Sequence, residues 1–206
     1  MKKSLVFSFL FLSSFIHSQN AETHFDKLVS FGFSIGFKTY MGNNFIAKTY
    51  NDSYPVATGS SVNVCKNFGA GFYFKKNSAS LQTTQYVGNS VKGTFIEWGF
   101  YSCYYAQLNN KWLFVPKIGI ATFNLKNELY PYLYSSKKKY YTTGTTYFIA
   151  PEINYFLHNN ISLYSSIGYG IIDLSKVRAS SSLDINYTSS NQLNLEVGIR
   201  FWFGKR

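Results

Sequence analysis

Long hydrophobic runs are missing from this chain of 206 residues. Its most apolar stretch, residues 5–16, falls short of the ~20 residues that carry a helix across a bilayer, so a helical membrane protein is excluded. Charge is scarce as well: Asp, Glu, Lys and Arg make up 14% of the chain, against about 25% in soluble domains. Histidine and cysteine number only three and two, too few and too scattered for a clustered metal site. Proline occurs four times, and Pro116 and Pro151 fall inside apolar segments, where each calls for a local irregularity because it cannot donate to a strand ladder. What the chain has instead is aromatic rings, 20% of its residues, dispersed among Ser, Asn, Gly and Thr. That composition excludes disorder and favours strands.

The first residues read as a secretory leader. Lys2 and Lys3 precede the apolar residues 5–16, and the small residue Ser18 is followed by Gln19 and Asn20, which places cleavage after Ser18. The expected organisation is therefore a signal peptide over 1–18 and one domain over 19–206. Loss of Lys2 and Lys3 takes the formal charge from +11 to +9, since 18 basic residues then oppose nine acidic ones.

Beyond the leader, hydrophobicity alternates with period two. Over 28–40, Val29, Phe31, Phe33, Ile35 and Phe37 share one face and Ser30, Gly32, Ser34, Gly36 and Lys38 the other. Over 192–203, Leu193, Leu195, Val197, Ile199, Phe201 and Phe203 oppose Gln192, Asn194, Glu196, Gly198 and Arg200. Segments 62–74, 94–108, 112–123, 145–157 and 161–172 repeat the pattern, each about the 9–11 residues that a tilted strand needs to cross a membrane. With seven strands identified, 81–87 is the candidate for an eighth. Residues 109–111 and 158–160 read as tight turns and 75–80 as a short connection, whereas 41–61, 125–144 and 173–191 are long. That rhythm predicts an all-β, eight-stranded, antiparallel up-and-down barrel with both termini on the short-turn side.

The polar face decides which way round the barrel is built. It carries nine of the 15 glycines, at positions 32, 36, 69, 71, 99, 119, 168, 170 and 198, and small residues suit a narrow, side-chain-filled bore better than a solvated surface. It also carries balanced charge, Lys38, Lys117 and Arg200 against Glu97, Glu152 and Glu196, expected as an interior ionic network because buried charges are tolerated when paired. On the apolar face, Phe72, Phe74, Tyr104, Trp112, Phe114, Tyr155, Phe201 and Phe203 are expected near the short-turn ends. Tyr130, Tyr132, Tyr134, Tyr140, Tyr141 and Tyr147 are expected at the opposite rim, as the two aromatic girdles of a transmembrane barrel. Two details resist. Lys66 falls on the lipid face, which calls for snorkelling or a bulge, and Leu113 and Val115 put apolar groups inside. Cys65 and Cys103 point inward at heights that exceed disulfide reach unless barrel shear compensates, and are expected to be free thiols.

The leader, the strand rhythm and the aromatic closing strand (Val197, Gly198, Ile199, Arg200, Phe201, Trp202, Phe203) together resemble the small outer-membrane β-barrel family of Gram-negative bacteria, of the OmpA/OmpX type. The resemblance implies outer-membrane localisation, insertion by the barrel-assembly machinery, contact with outer-membrane lipid and lipopolysaccharide, and a monomer without cofactor or nucleic-acid partner. The final aromatic signal of that family is offset here, because Gly204, Lys205 and Arg206 follow Phe203. Some similar barrels are lipid A acyl hydrolases or acyltransferases. Such chemistry asks for serine and histidine within reach, and neither His24 nor His158 has a serine two residues on. Lys137, Lys138 and Lys139, set among tyrosines, are the candidate contact for surface anions such as lipopolysaccharide phosphates. The functional expectation is a structural or surface-interaction barrel. A narrow pore, a lipid A-modifying enzyme and a soluble ligand-binding barrel are the alternatives.

Overall fold

The computed structural model describes residues 25–83, 90–129, 139–175 and 188–204. The leader, His24, Lys137 and Lys138 lie outside them. The strands are β1 (Val29–Met41), β2 (Val56–Cys65), β3 (Phe68–Ser80), β4 (Ser90–Tyr104), β5 (Ala106–Gln107), β6 (Trp112–Val115), β7 (Lys117–Leu129), β8 (Lys139–Ile149), β9 (Glu152–His158), β10 (Ile161–Ser175) and β11 (Ser189–Phe203). A single helical turn, α1 (Phe45–Thr49), lies between β1 and β2. All pairings are antiparallel, in the order β1, β2, β3, β4, β7, β8, β10, β11, and β11 returns to β1 with Val29 opposite Phe203 and Met41 opposite Asn191. The ring thus has eight staves. Closure pairs each of the eight staves on both sides, which is what a strand structure needs in lipid, where no water satisfies a free N–H or C=O.

Three staves are broken at one level. β5, β6 and β9 continue β4, β7 and β8 past Tyr105, Pro116 and the Ala150–Pro151 step. The prolines act as acceptors only, Pro116 for the Tyr104 N–H at 3.2 Å and Pro151 for the Ile167 N–H at 3.1 Å. Because neighbouring staves break together, the ladder resumes on both sides of the discontinuity.

The eighth stave is not where the alternation placed it. Residues 81–83 form no strand, and Leu81 makes only an isolated bridge to Tyr50; the rest of that candidate segment lies outside the described residues. The missing strand is β2, whose residues were divided between the presumed 41–61 loop and the presumed 62–74 strand. A tight turn at Lys66 and Asn67 splits the latter, with a bulge between the pairs Asn63↔Gly69 and Cys65↔Phe68. The bulge and the two-residue turn together keep the alternation in phase, so Val62, Val64, Phe68, Ala70 and Phe72 all face outward on two different strands. Lys66 takes φ = +50° at this turn, which removes it from the lipid face. Cys65 is exposed there instead of pointing inward; Cys103 is buried, and both thiols are free. Likewise 75–80 is not a connection but the outer half of β3.

The faces have the sense of a membrane barrel. Ile35, Val64, Phe100 and Ile118 are each more than 60% exposed on the outside, whereas Lys38 and Glu97 are at most 1% exposed inside. Such a continuous apolar exterior overturns the soluble-barrel alternative. Trp112 packs on Tyr155 with ring centroids 4.8 Å apart, and Phe68 on Tyr104 at 5.0 Å, near the short-turn end. Phe72 and Phe74 are not in that girdle. β3 runs away from the 66–67 turn, so they lie at mid-height opposite Phe100 and Trp98. Tyr147, opposite Ile120 and Ile171, is also at mid-height instead of on the outer rim.

Candidate functional site: the barrel interior

The bore is divided into three storeys. At the long-loop end the outward residues turn polar (Lys76, Ser78, Ser80, Lys92, Thr94), while the inward ones turn apolar (Ala79, Phe95, Phe123, Leu125, Ile172, Leu174). Past the hydrocarbon boundary the barrel therefore has the sense of a soluble protein. The segment between β1 and β2 folds into this mouth. α1 is too short to stand alone, since a helical nucleus gains few hydrogen bonds for the residues it orders. It is held by the Asn44 side chain, which accepts from the Ala47 N–H at 2.9 Å, and by burial of Phe45, Ile46 and Thr49. Tyr50 follows, edge-on to Phe95 at 5.0 Å, with its hydroxyl donating to Asn127. Burial holds the Tyr50 phenol above its ordinary ionisation range, and the Asn127 contact offsets this only in part.

The short-turn end is closed by aromatic rings. Phe25, just ahead of β1, enters the bore and meets Trp202 edge-on at 4.9 Å and Tyr105 in a stack at 5.1 Å. Leu113 and Val115 complete this cluster, which accounts for apolar residues on an inward face. Inward glycines make room for such rings. A Cβ at Gly71 would strike Tyr101 of the neighbouring stave, and one at Gly198 would strike Tyr164.

Between the plugs lies a charged layer. Lys38 pairs with Glu97, and Lys117 with Glu152. Arg200 reaches the same Glu152 oxygen at 2.8 Å, donates to Ser30 Oγ at 3.0 Å and stacks over Tyr164 at 4.8 Å. Asn154 donates to the other Glu152 oxygen at 2.9 Å. Glu196 takes a partner that was not foreseen, Lys75, and accepts from Ser34 Oγ at 3.1 Å. All six charges expected inside are inside, in two-residue and three-residue groups. These six cancel as expected, but the interior as a whole does not, because Lys75, expected in the 75–80 connection, adds a fourth cation. The signal that would have found it is the continued alternation of Lys75, Asn77 and Ala79 against Lys76, Ser78 and Ser80. Gln192 and Asn194 join the layer from β11.

A cavity of about 70 Å³ opens in this layer, bordered by Lys75, Glu97, Lys117, Glu152, Glu196 and Arg200. Nothing about it resembles a nucleophile with a base. His158 is exposed at the end of β9 and not in the expected 158–160 turn, and among the described residues no three His, Cys, Asp or Glu side chains converge as metal ligands. Lys139 begins β8 at the outer end.

No family model and no curated protein sequence matches the chain. Solved structures do. Neisserial surface protein A superposes with a TM-score of 0.62 at 8% identity, over 85% of this chain and 97% of the other. The outer membrane protein OprG from Pseudomonas aeruginosa gives 0.54 at 12% identity, over 89% and 99%. Ail, the attachment invasion locus protein of Yersinia pestis, gives 0.53 at 11% identity, over 87% and 100%. At such identities the likeness is one of fold: that of the small outer-membrane β-barrels.

Proposed function

We propose that this chain, an outer-membrane β-barrel by fold, works as a closed barrel with a structural or surface-interaction role, and neither conducts nor catalyses. The observation that carries this reading is the closure of the bore at both ends, by α1 and its aromatic neighbours outside and by Phe25, Tyr105 and Trp202 inside. An eight-stranded bore has just enough width for side chains, so two apolar plugs leave no continuous aqueous path. Residues 1–18 direct export, the barrel-assembly machinery inserts the chain, and the monomer stands among outer-membrane lipid and lipopolysaccharide. The outer loops, with Lys137, Lys138 and Lys139, meet anionic partners. Purified protein in planar bilayers is expected to show no appreciable conductance, and expression is expected to leave lipid A acylation unchanged. Steady channel currents would refute closure, and altered acylation would refute the non-enzymatic reading.

A further inference from the structure

We propose that the barrel holds one small monovalent inorganic anion, of chloride size, in the central cavity beside Lys117 and Arg200. The charges of the described interior do not balance. Four cations (Lys38, Lys75, Lys117, Arg200) face three carboxylates (Glu97, Glu152, Glu196), leaving one positive charge over. The surplus has an address. Lys38 with Glu97 and Lys75 with Glu196 are one-to-one pairs, whereas Lys117 and Arg200 converge on a single oxygen of Glu152. This group borders the cavity.

An unpaired charge enclosed in a bore within hydrocarbon is costly, and the cost is removed when a counter-charge sits in contact. The cavity's volume of about 70 Å³ suffices for such an ion with a few waters, since about 10–15 Å³ of such space holds one water. Unpartnered polar groups lie in the same layer. Arg200, 4% exposed, leaves its Nε–H without an acceptor, and the buried Gln192 and Asn194 each leave their amide oxygen without a donor. Two of these orphans call for water and the guanidinium calls for an acceptor, which a hydrated anion supplies together. A divalent oxyanion is disfavoured, because it would exceed the single surplus positive charge beside the carboxylates of Glu97, Glu152 and Glu196. The inference rests on closure of the bore, since an open one would draw its counter-ions from bulk solution. Bilayer recordings report on closure separately, so failure of one reading is distinguishable from failure of the other.

The test is to fold the full mature chain in sodium bromide, crystallise it in detergent and measure the anomalous signal at the bromine edge. One peak is expected within contact distance of Lys117 Nζ and the Arg200 guanidinium, absent from Lys117→Gln, in which the interior is neutral. Lys117→Met serves as the second neutral variant should Lys117→Gln fail to fold. In parallel, the temperature at which the folded gel band converts to the unfolded one is expected to be higher in chloride than in gluconate at equal ionic strength for the parent chain, and equal in the two salts for the neutral variant. Water alone in the parent cavity, or a peak that persists undiminished in both neutral variants, would overturn the proposal.

Discussion

Lys38 and Glu97 show how the interior depends on single residues. Both are at most 1% exposed, and each is the other's ion partner. Glu97→Gln would leave the lysine charge buried and unpaired, at a cost of about 3–5 kcal/mol, whereas Lys38→Met with Glu97→Gln should recover most of that loss. Urea unfolding of the detergent-folded chain, followed by gel shift, measures both. A second dependence is steric. Gly71→Val would drive its side chain into Tyr101, whose hydroxyl donates to the Ser60 carbonyl at 3.2 Å. Overpacking of this kind costs about 1–3 kcal/mol and should lower the yield of folded band, with Gly71→Ala intermediate. The inward charges at 38, 97, 117, 152, 196 and 200 were legible from strand parity. Their pairing was not, because partners such as Lys75 and Glu196 lie 121 positions apart, 196 minus 75, and meet only across the bore.

α1 is the element whose role the chain's periodicity conceals. Five residues leave no helical pattern to read, and they lie within what reads as a polar loop. Ile46, fully buried beneath the outer mouth, is its anchor. Ile46→Ala should loosen the lid by about 2–5 kcal/mol, and Ile46→Asp should expel it, seen as faster proteolysis of the segment between β1 and β2 while the inner plug still blocks current. The Tyr50 phenol adds a pH dependence to the same lid. Its folded ionisation is raised, so closure is fully supported below the ordinary phenol value of about 10 and weakens as pH rises through and beyond it. Ultraviolet titration of the parent against Tyr50→Phe should assign to Tyr50 a late-ionising phenol, and Tyr50→Phe should lose the alkaline dependence of closure. β2 was hidden for the opposite reason: its alternation was present but ran in phase through the turn into β3. A two-residue turn with a compensating bulge is invisible to a period-two count.

Taken entire, the molecule places its faces by depth. Across the hydrocarbon band it is apolar outside and charged within; at the outer rim Phe95, Phe123 and Ile172 turn inward while Lys76 and Lys92 face solvent. The folded protein should therefore require detergent for extraction and migrate as a compact band that heating converts. Recovery in the soluble periplasmic fraction without detergent would contradict the membrane assignment. Charge reversal at Lys137, Lys138 and Lys139 should weaken association with lipopolysaccharide several-fold at low salt and much less at high salt, as expected of exposed charges. Unchanged association would remove that loop as the contact.

Alternation, composition and the glycine-rich polar face were enough to establish a membrane barrel of eight staves, because period two is local and a lipid solvent inverts which face is apolar. They also identified six of the seven inward charges among the described residues, and the proline irregularities. Which strand supplied the eighth stave, how the bore is stoppered at each end, and where its surplus positive charge lies were decided by tertiary structure alone. Register, loop infolding and cross-bore pairing join residues distant in sequence, and no local pattern carries that information.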